Sequence, residues 1–266
     1  MTGITKKALI TGSAAGIGAA VAASLNTQGY QLILVDKDKQ ANETLAASFS
    51  NATSIVLDLT DRAALRALCD DIESQSLDLA FINAGAALPG DVVDISEAVI
   101  DLHLEVNLRA AMLLNQACAK AMLKAGQGQI ISTVSMGGIT PMKGSAVYSA
   151  TKFALRGFLS ALHSELKPHG VSVSGIYPSA VDTDMLKHEV RSNGSPLNFV
   201  STVATVDDIV QSVEYAIKTK KLEVYVSSMD CFTGRIIGFF PSLLDRLYPL
   251  LEKIGRKGME QYKSKL

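Results

Sequence analysis

The sequence predicts an α/β protein: a single doubly wound domain in which a parallel seven-stranded sheet carries helices on both faces. Three observations predict it. Short apolar runs alternate with longer stretches of helical periodicity, the order in which crossover helices join parallel strands. Several runs are almost continuously apolar, as strands covered on both faces are. The first run ends in a glycine-rich turn that opens directly into an alanine-rich helical stretch.

The runs are Ala8–Ile10, Leu32–Val35, Ser54–Leu57, Leu79–Ile82, Gln129–Val134, Val171–Ile176 and Val224–Val226. Helical stretches between them include Ile17–Gln28, Arg62–Glu73, Leu104–Leu123 and Ser149–Lys167. No linker, charge block or repeat splits the chain. The domain is expected over residues 1–230, with a substrate loop at 184–205, and residues 231–266 form an amphipathic helical extension on the same domain.

The chain has 266 residues, of which 48% are hydrophobic and 19% charged, with net charge −1. That supports a sizeable core and excludes a disordered chain or a basic nucleic-acid binder. Cys69, Cys118 and Cys231 are scattered and odd in number, which argues against a disulfide framework and for a reducing, cytoplasmic setting. The four histidines show no metal-site spacing, so no metal is expected. No run of about 18 apolar residues predicts a spanning helix.

The first turn reads Ile10-Thr-Gly-Ser-Ala-Ala-Gly-Ile-Gly18. Gly12 permits the tight turn and Gly16 lets backbone approach a pyrophosphate. Gly18 allows close packing of helix on sheet, and the helix N-terminus offers free N–H groups. The spacing departs from G-x-G-x-x-G, and glycines at a reversal are more often only a turn. Asp36 ends the second strand, 18 residues beyond Gly18, where a carboxylate accepts from the ribose hydroxyl of NAD and repels the extra phosphate of NADP. Lys37 partly offsets that repulsion. NAD is therefore expected over NADP.

With these and the following motifs, the chain resembles the short-chain dehydrogenases/reductases from about Thr5 to Val226. Thr11-Gly12-Ser13-Ala14-Ala15-Gly16-Ile17-Gly18 is similar to the family's T-G-x-x-x-G-I-G turn, which accounts for the spacing. Asp58 with Leu59 resembles the adenine-contacting position. Asn83-Ala84-Gly85 resembles the N-A-G motif, Asn107 the helix asparagine, and Tyr148 to Lys152 the Y-x-x-x-K signature, with Ser135 preceding Tyr148 by 13 residues. Pro178, Val181 and Thr183 match the P-G-x-V-x-T segment that touches the nicotinamide carboxamide. Ser179 replaces its glycine, and a serine lacks free access to positive φ, so no contact is carried over there.

The resemblance implies a Rossmann fold and NAD-linked interconversion of a secondary alcohol and a ketone. Free tyrosine titrates near ~10, and the Lys152 ammonium four residues on is expected to lower that value for Tyr148. Ser135 would hold the substrate oxygen as an oxyanion donor does, Lys152 would bond the nicotinamide ribose, and Asn107 would position a relay water. Taken alone, Tyr148 and Lys152 read as an exposed pair, Ser135 as a turn former and Asn107 as a surface amide. A serine hydrolase is excluded by the absence of a G-x-S-x-G elbow. A catalytically silent NAD-binding interaction protein and an NADP-dependent carbonyl reductase are the alternatives.

Met136 and Met142, with Met185 and Leu186, are expected to line the substrate site, along with Ser135 and Tyr148. They point to a lipophilic alcohol or ketone of steroid, retinoid or long-chain acyl type. In the tail, Phe240, Leu243, Leu244, Leu247, Leu251 and Ile254 recur at helical spacing, and Pro249 is expected to break or kink that helix. Pro241 to Leu266 carries six basic and three acidic residues. Such a stripe packs on the pocket, on a second subunit or on a membrane surface. The resemblance implies a homodimer or homotetramer.

Overall fold

The structure, a computed structural model, describes residues 5–192, 194–239 and 241–266; of the side chains in 233–243 it describes Ile236 and Ser242. Strands β1 (Lys7–Thr11), β2 (Gln31–Asp36), β3 (Ala52–Val56), β4 (Leu79–Ile82), β5 (Gly128–Thr133), β6 (Val171–Tyr177) and β7 (Glu223–Tyr225) form one sheet in the order β3-β2-β1-β4-β5-β6-β7. Every pairing is parallel. The order reverses between β1 and β4, so a crevice opens beyond their carboxyl ends, where doubly wound folds bind ligands.

Helices α1 (Gly16–Thr27), α2 (Lys39–Ala47), α3 (Arg62–Ser74), α4 (Glu97–His103), α5 (Ala111–Ala125), α6 (Ala146–Leu166), α7 (Asp184–Arg191), α8 (Val206–Thr219), α9 (Ser228–Phe239) and α10 (Pro241–Lys263) follow in chain order. Alternation along the strands feeds two cores. Ile10, Leu34 and Phe81 pack with Val21 and Leu25 of α1 and Ile209 and Val213 of α8. Leu9, Ile130 and Val173 face the other way, onto Leu65 of α3, Leu114 of α5 and Leu155 and Leu159 of α6.

The helix expected over 104–123 begins earlier, at Glu97, and carries a π-helical segment at Leu104–Ala110. Such segments widen a helix locally and recur at functional sites. Of the break or kink expected at Pro249, the break does not occur: α10 continues through it. Pro249 and Asp245, whose carbonyl loses its intrahelical partner, are both exposed, a setting in which solvent can serve the freed group.

Helix α10 lies on the segment expected to form the substrate loop, at the 196–199 turn. Leu244 and Met259 are buried, and the Tyr262 ring sits 5.5 Å from that of Phe199. The Tyr248 hydroxyl accepts from the Lys143 N–H at 2.7 Å. Leu247, Leu250 and Ile254 remain exposed; Phe240 and the Leu243 side chain lie outside the described residues. Among the described residues no helix is long and apolar enough to cross a membrane.

Candidate active site

The glycine turn is built by close approach. Gly12 (φ +66°) follows β1, and a Cβ there would lie 2.9 Å from Ala84 Cα. Gly16 (φ +53°) begins α1, and its Cβ would lie 3.3 Å from Thr183 Cγ2. A Cβ at Gly18 would stand 1.9 Å from the Gly12 carbonyl oxygen. Asp38 caps α2, Asp61 caps α3 and a Thr205–Asp208 capping box closes α8, whereas α1 starts at Ala15 with no side-chain cap and no acid in its first turn. Its first N–H groups are thus left for an anion. This cradle fits a pyrophosphate. Ile17 lines the cleft, while Ser13 is buried and donates its hydroxyl to Asn42 Oδ1; Ser13 and Gly18 shape the turn from behind.

Asp36 stands at the cleft wall, held by the Ala14 and Asp38 N–H groups, each 3.0 Å from a carboxylate oxygen. Asp58 and Leu59 lie away from the cleft lining. Thr60, through its backbone N–H and its hydroxyl, holds the exposed Asp58 carboxyl below its ordinary range, with Lys37 adding to the effect. Leu59 is buried in the core.

Asn83 ties three strand ends together. Its N–H and that of Ala84 donate to the Thr11 hydroxyl at 3.0 and 3.1 Å, and its Oδ1 accepts from the Thr133 hydroxyl at 3.0 Å. Asn83, Ala84 and Gly85 all line the cleft. The expectation that Asn107 positions a water falls on a residue whose side chain is turned to backbone. Asn107 is buried, its Oδ1 accepts from the Ala86 N–H at 2.7 Å and its Nδ2 donates to the Ala86 carbonyl at 2.8 Å. Both polar ends of the amide are occupied, and the residue acts as a strut for the 84–86 segment.

Ser135, Tyr148 and Lys152 meet in the cleft. Helix α6 presents Tyr148 and Lys152 on one face, with Lys152 Nζ 5.6 Å from the centre of the Tyr148 ring. Lys152 is 3% exposed and donates to the Thr133 carbonyl at 3.0 Å. Burial lowers its pKa to about 8. The expected fall in the Tyr148 pKa is corrected: desolvation pushes it up to about 12, the nearby Ser135 hydroxyl pulls against that, and Glu189 adds to the rise. Desolvation of the phenolate outweighs an ammonium already committed to a carbonyl.

Ser135 has φ 145° and ψ 157°, a region left almost wholly to glycine and costing about 1–3 kcal/mol. The Gly137 N–H donates to its hydroxyl at 3.0 Å, and the Met136 N–H donates to the Pro178 carbonyl at 2.7 Å. These bonds hold the strained segment against Pro178. Ser135→Gly is expected to be more stable than Ser135→Ala by about 1 kcal/mol, reversing the usual order of these residues. Urea denaturation of both variants tests it; equal stability, or a more stable alanine variant, refutes the strain.

The cleft encloses about 310 Å³. Pro178, Val181 and Thr183 line it, as do Met142, Met185 and Leu186. Met136 does not; it packs against the core. Ser179 lines the cleft without a positive φ, and its hydroxyl bonds the Asp230 carboxyl. Sequence reasoning missed Thr133, Glu189 and Asn198. A carboxylate on a short amphipathic helix reads as solvated surface, and an asparagine in a loop reads as a turn.

A profile of the short chain dehydrogenase family matches residues 6–194. The chain belongs to the short-chain dehydrogenase family. It is 32% identical over 186 residues to a D-threitol dehydrogenase of Mycolicibacterium smegmatis, covering 68% of this chain and 72% of that one. A short-chain dehydrogenase from Sphingobium yanoikuyae solved in complex with NADPH superposes with a TM-score of 0.78 at 26% identity, over 89% of this chain and 95% of that one. One from Burkholderia phymatum solved with NAD gives 0.79 at 22% identity, over 90% and 95%. The steroid- and retinoid-type leaning finds no support in these relatives.

Proposed function

We propose that this short-chain dehydrogenase interconverts a secondary alcohol and a ketone, with Tyr148 as the acid–base group and NAD as the preferred cofactor. The observation that carries the reading is the meeting of Ser135, Tyr148 and Lys152 beside an uncapped helix N-terminus at the switch point. A bound nicotinamide dinucleotide supplies or accepts the hydride. Tyr148 gives its proton to the ketone oxygen in reduction and takes one from the hydroxyl in oxidation. Ser135 holds that oxygen, and Lys152 places a positive charge beside the phenol. Met142, Met185 and Leu186 favour a substrate with an apolar body.

Asp36 supports NAD. Its carboxylate is fixed on the cleft wall by two backbone donors, where a phosphate on the ribose would meet like charge. Asp36→Ala is expected to shift the ratio of kcat/KM for NADH over NADPH toward NADPH by about 10-fold or more, roughly the loss of one charge–charge conflict. Wild-type preference for NADPH, with no shift in the variant, overturns the reading of Asp36. For the reaction itself, a panel of hydrophobic secondary alcohols and ketones is followed by nicotinamide absorbance. Absence of hydride transfer with either cofactor across the panel refutes the proposed activity and favours a silent interaction protein.

A further inference from the structure

Two polar residues of the cleft take no part in the chemistry above. Glu189 of α7 and Asn198 of the 196–199 turn both line it, and Asn198 Nδ2 donates to Glu189 Oε2 at 2.9 Å. Glu189 Oε1 has no hydrogen-bond partner among the described residues. The residue is half-buried, and desolvation raises its carboxyl pKa to about 7. It lies close enough to Tyr148 to act on the phenol electrostatically.

This pair is held in place from both sides. The Gly194 N–H donates to the Glu189 carbonyl at 2.8 Å. On α10, Gly255 and Gly258 press so closely on the turn that a Cβ would come 2.0 Å from the Pro196 carbonyl oxygen and 2.4 Å from that of Phe199. A carboxyl withdrawn from water is costly unless its lone pairs are used. Asn198 satisfies one oxygen, and Met142, Met185 and Leu186, which line the same cleft, carry no donor for the other.

We propose that Glu189 and Asn198 form a specificity site that reads a second hydroxyl of the substrate, remote from the carbon that exchanges hydride. The substrate class is then a diol or hydroxyketone with an apolar body. A hydroxyl suits this carboxyl better than an ammonium does. It donates to the carboxylate and accepts from the acid, and both forms are populated near neutral pH. The inference rests on the proposed alcohol–ketone activity.

The test compares octan-2-ol with octanediols that keep that hydroxyl and carry a second one at successive carbons. With wild-type enzyme, one diol is expected to exceed octan-2-ol in kcat/KM by about 10- to 100-fold, the range for a hydrogen bond to a charged group. Glu189→Leu is expected to collapse that ratio to about 1 through KM, and Glu189→Gln, which keeps an acceptor, to retain most of it. Calorimetric binding of the diols to the NAD-loaded Tyr148→Phe variant and its Glu189→Leu double variant separates this site from the chemistry. Diol affinity that falls about 10-fold or more in the double variant supports the site even where no hydride moves. Equal affinity, or a wild-type ratio unchanged in Glu189→Leu, overturns it. Preference for an amino alcohol, abolished in Glu189→Gln, overturns the hydroxyl assignment in favour of a cation.

Discussion

Tyr148→Phe is expected to lower kcat in both directions by about 10²–10⁴-fold, the range for one general acid–base group, while nicotinamide binding is retained. Burial has pushed the phenol up to about 12, so the protonated form dominates at neutral pH in the free enzyme. That form is the acid a ketone needs. Reduction is therefore expected to vary little with pH between about 6 and 8, whereas oxidation, which needs the phenolate, rises toward tenfold per unit over the same interval. Steady-state rates in both directions on wild type and Tyr148→Phe check this. An oxidation rate independent of pH, or a variant keeping a tenth or more of wild-type kcat, removes Tyr148 from the chemistry.

The linked effect on stability carries a definite sign. Tyr148 has its pKa raised on folding, so its contribution is complete below the unfolded value near ~10 and is lost as pH rises toward about 12. Lys152 has its pKa lowered to about 8, so the folded state sheds its proton first and its burial penalty fades as pH rises above that value. The two effects oppose one another around pH 10 and leave the neutral range governed by other groups, Glu189 among them.

Gly18→Ala is expected to cost about 3 kcal/mol or more, at the upper end for overpacking. The added Cβ meets only backbone: the Gly12 carbonyl oxygen at 1.9 Å, its carbon at 2.7 Å and Ser13 Cα at 3.0 Å. No flexible side chain can yield, so either α1 lifts from the sheet or the turn deforms. Gly16→Ala provides the contrast. Its nearest neighbour is a methyl at 3.3 Å, and the main cost is positive φ, about 1–2 kcal/mol. Denaturation midpoints and NADH titration of both variants test the distinction. The Gly18 variant should lose stability and cofactor binding together, and the Gly16 variant mainly binding. Equal stability of the two refutes the packing role of Gly18.

Much of this was legible in the chain because it is local. Alternating apolar and helical periods specified the strand–helix order, and Thr11 to Gly18 specified a phosphate turn, since each glycine answers to a backbone conformation or approach in its own segment. Tyr148 and Lys152 could be placed on one face from spacing alone. Asn107 was legible as a position but not in its contacts: its partner, the Ala86 backbone, is 21 residues away and reached only through the fold. Met136, expected in the substrate site, packs partly against the core, a contact that only the assembled fold shows.

The sequence by itself determined the fold class, the order of its elements and the residue types that gather at the switch point. Only the tertiary structure decided their protonation and their surroundings. Desolvation is a property of assembled neighbours, so neither the raised Tyr148 nor the lowered Lys152 could be computed from a spacing of four. The same holds for Glu189, which becomes a cleft residue because α7 and the 196–199 turn are closed over it by α10, a helix that begins about 50 residues later in the chain.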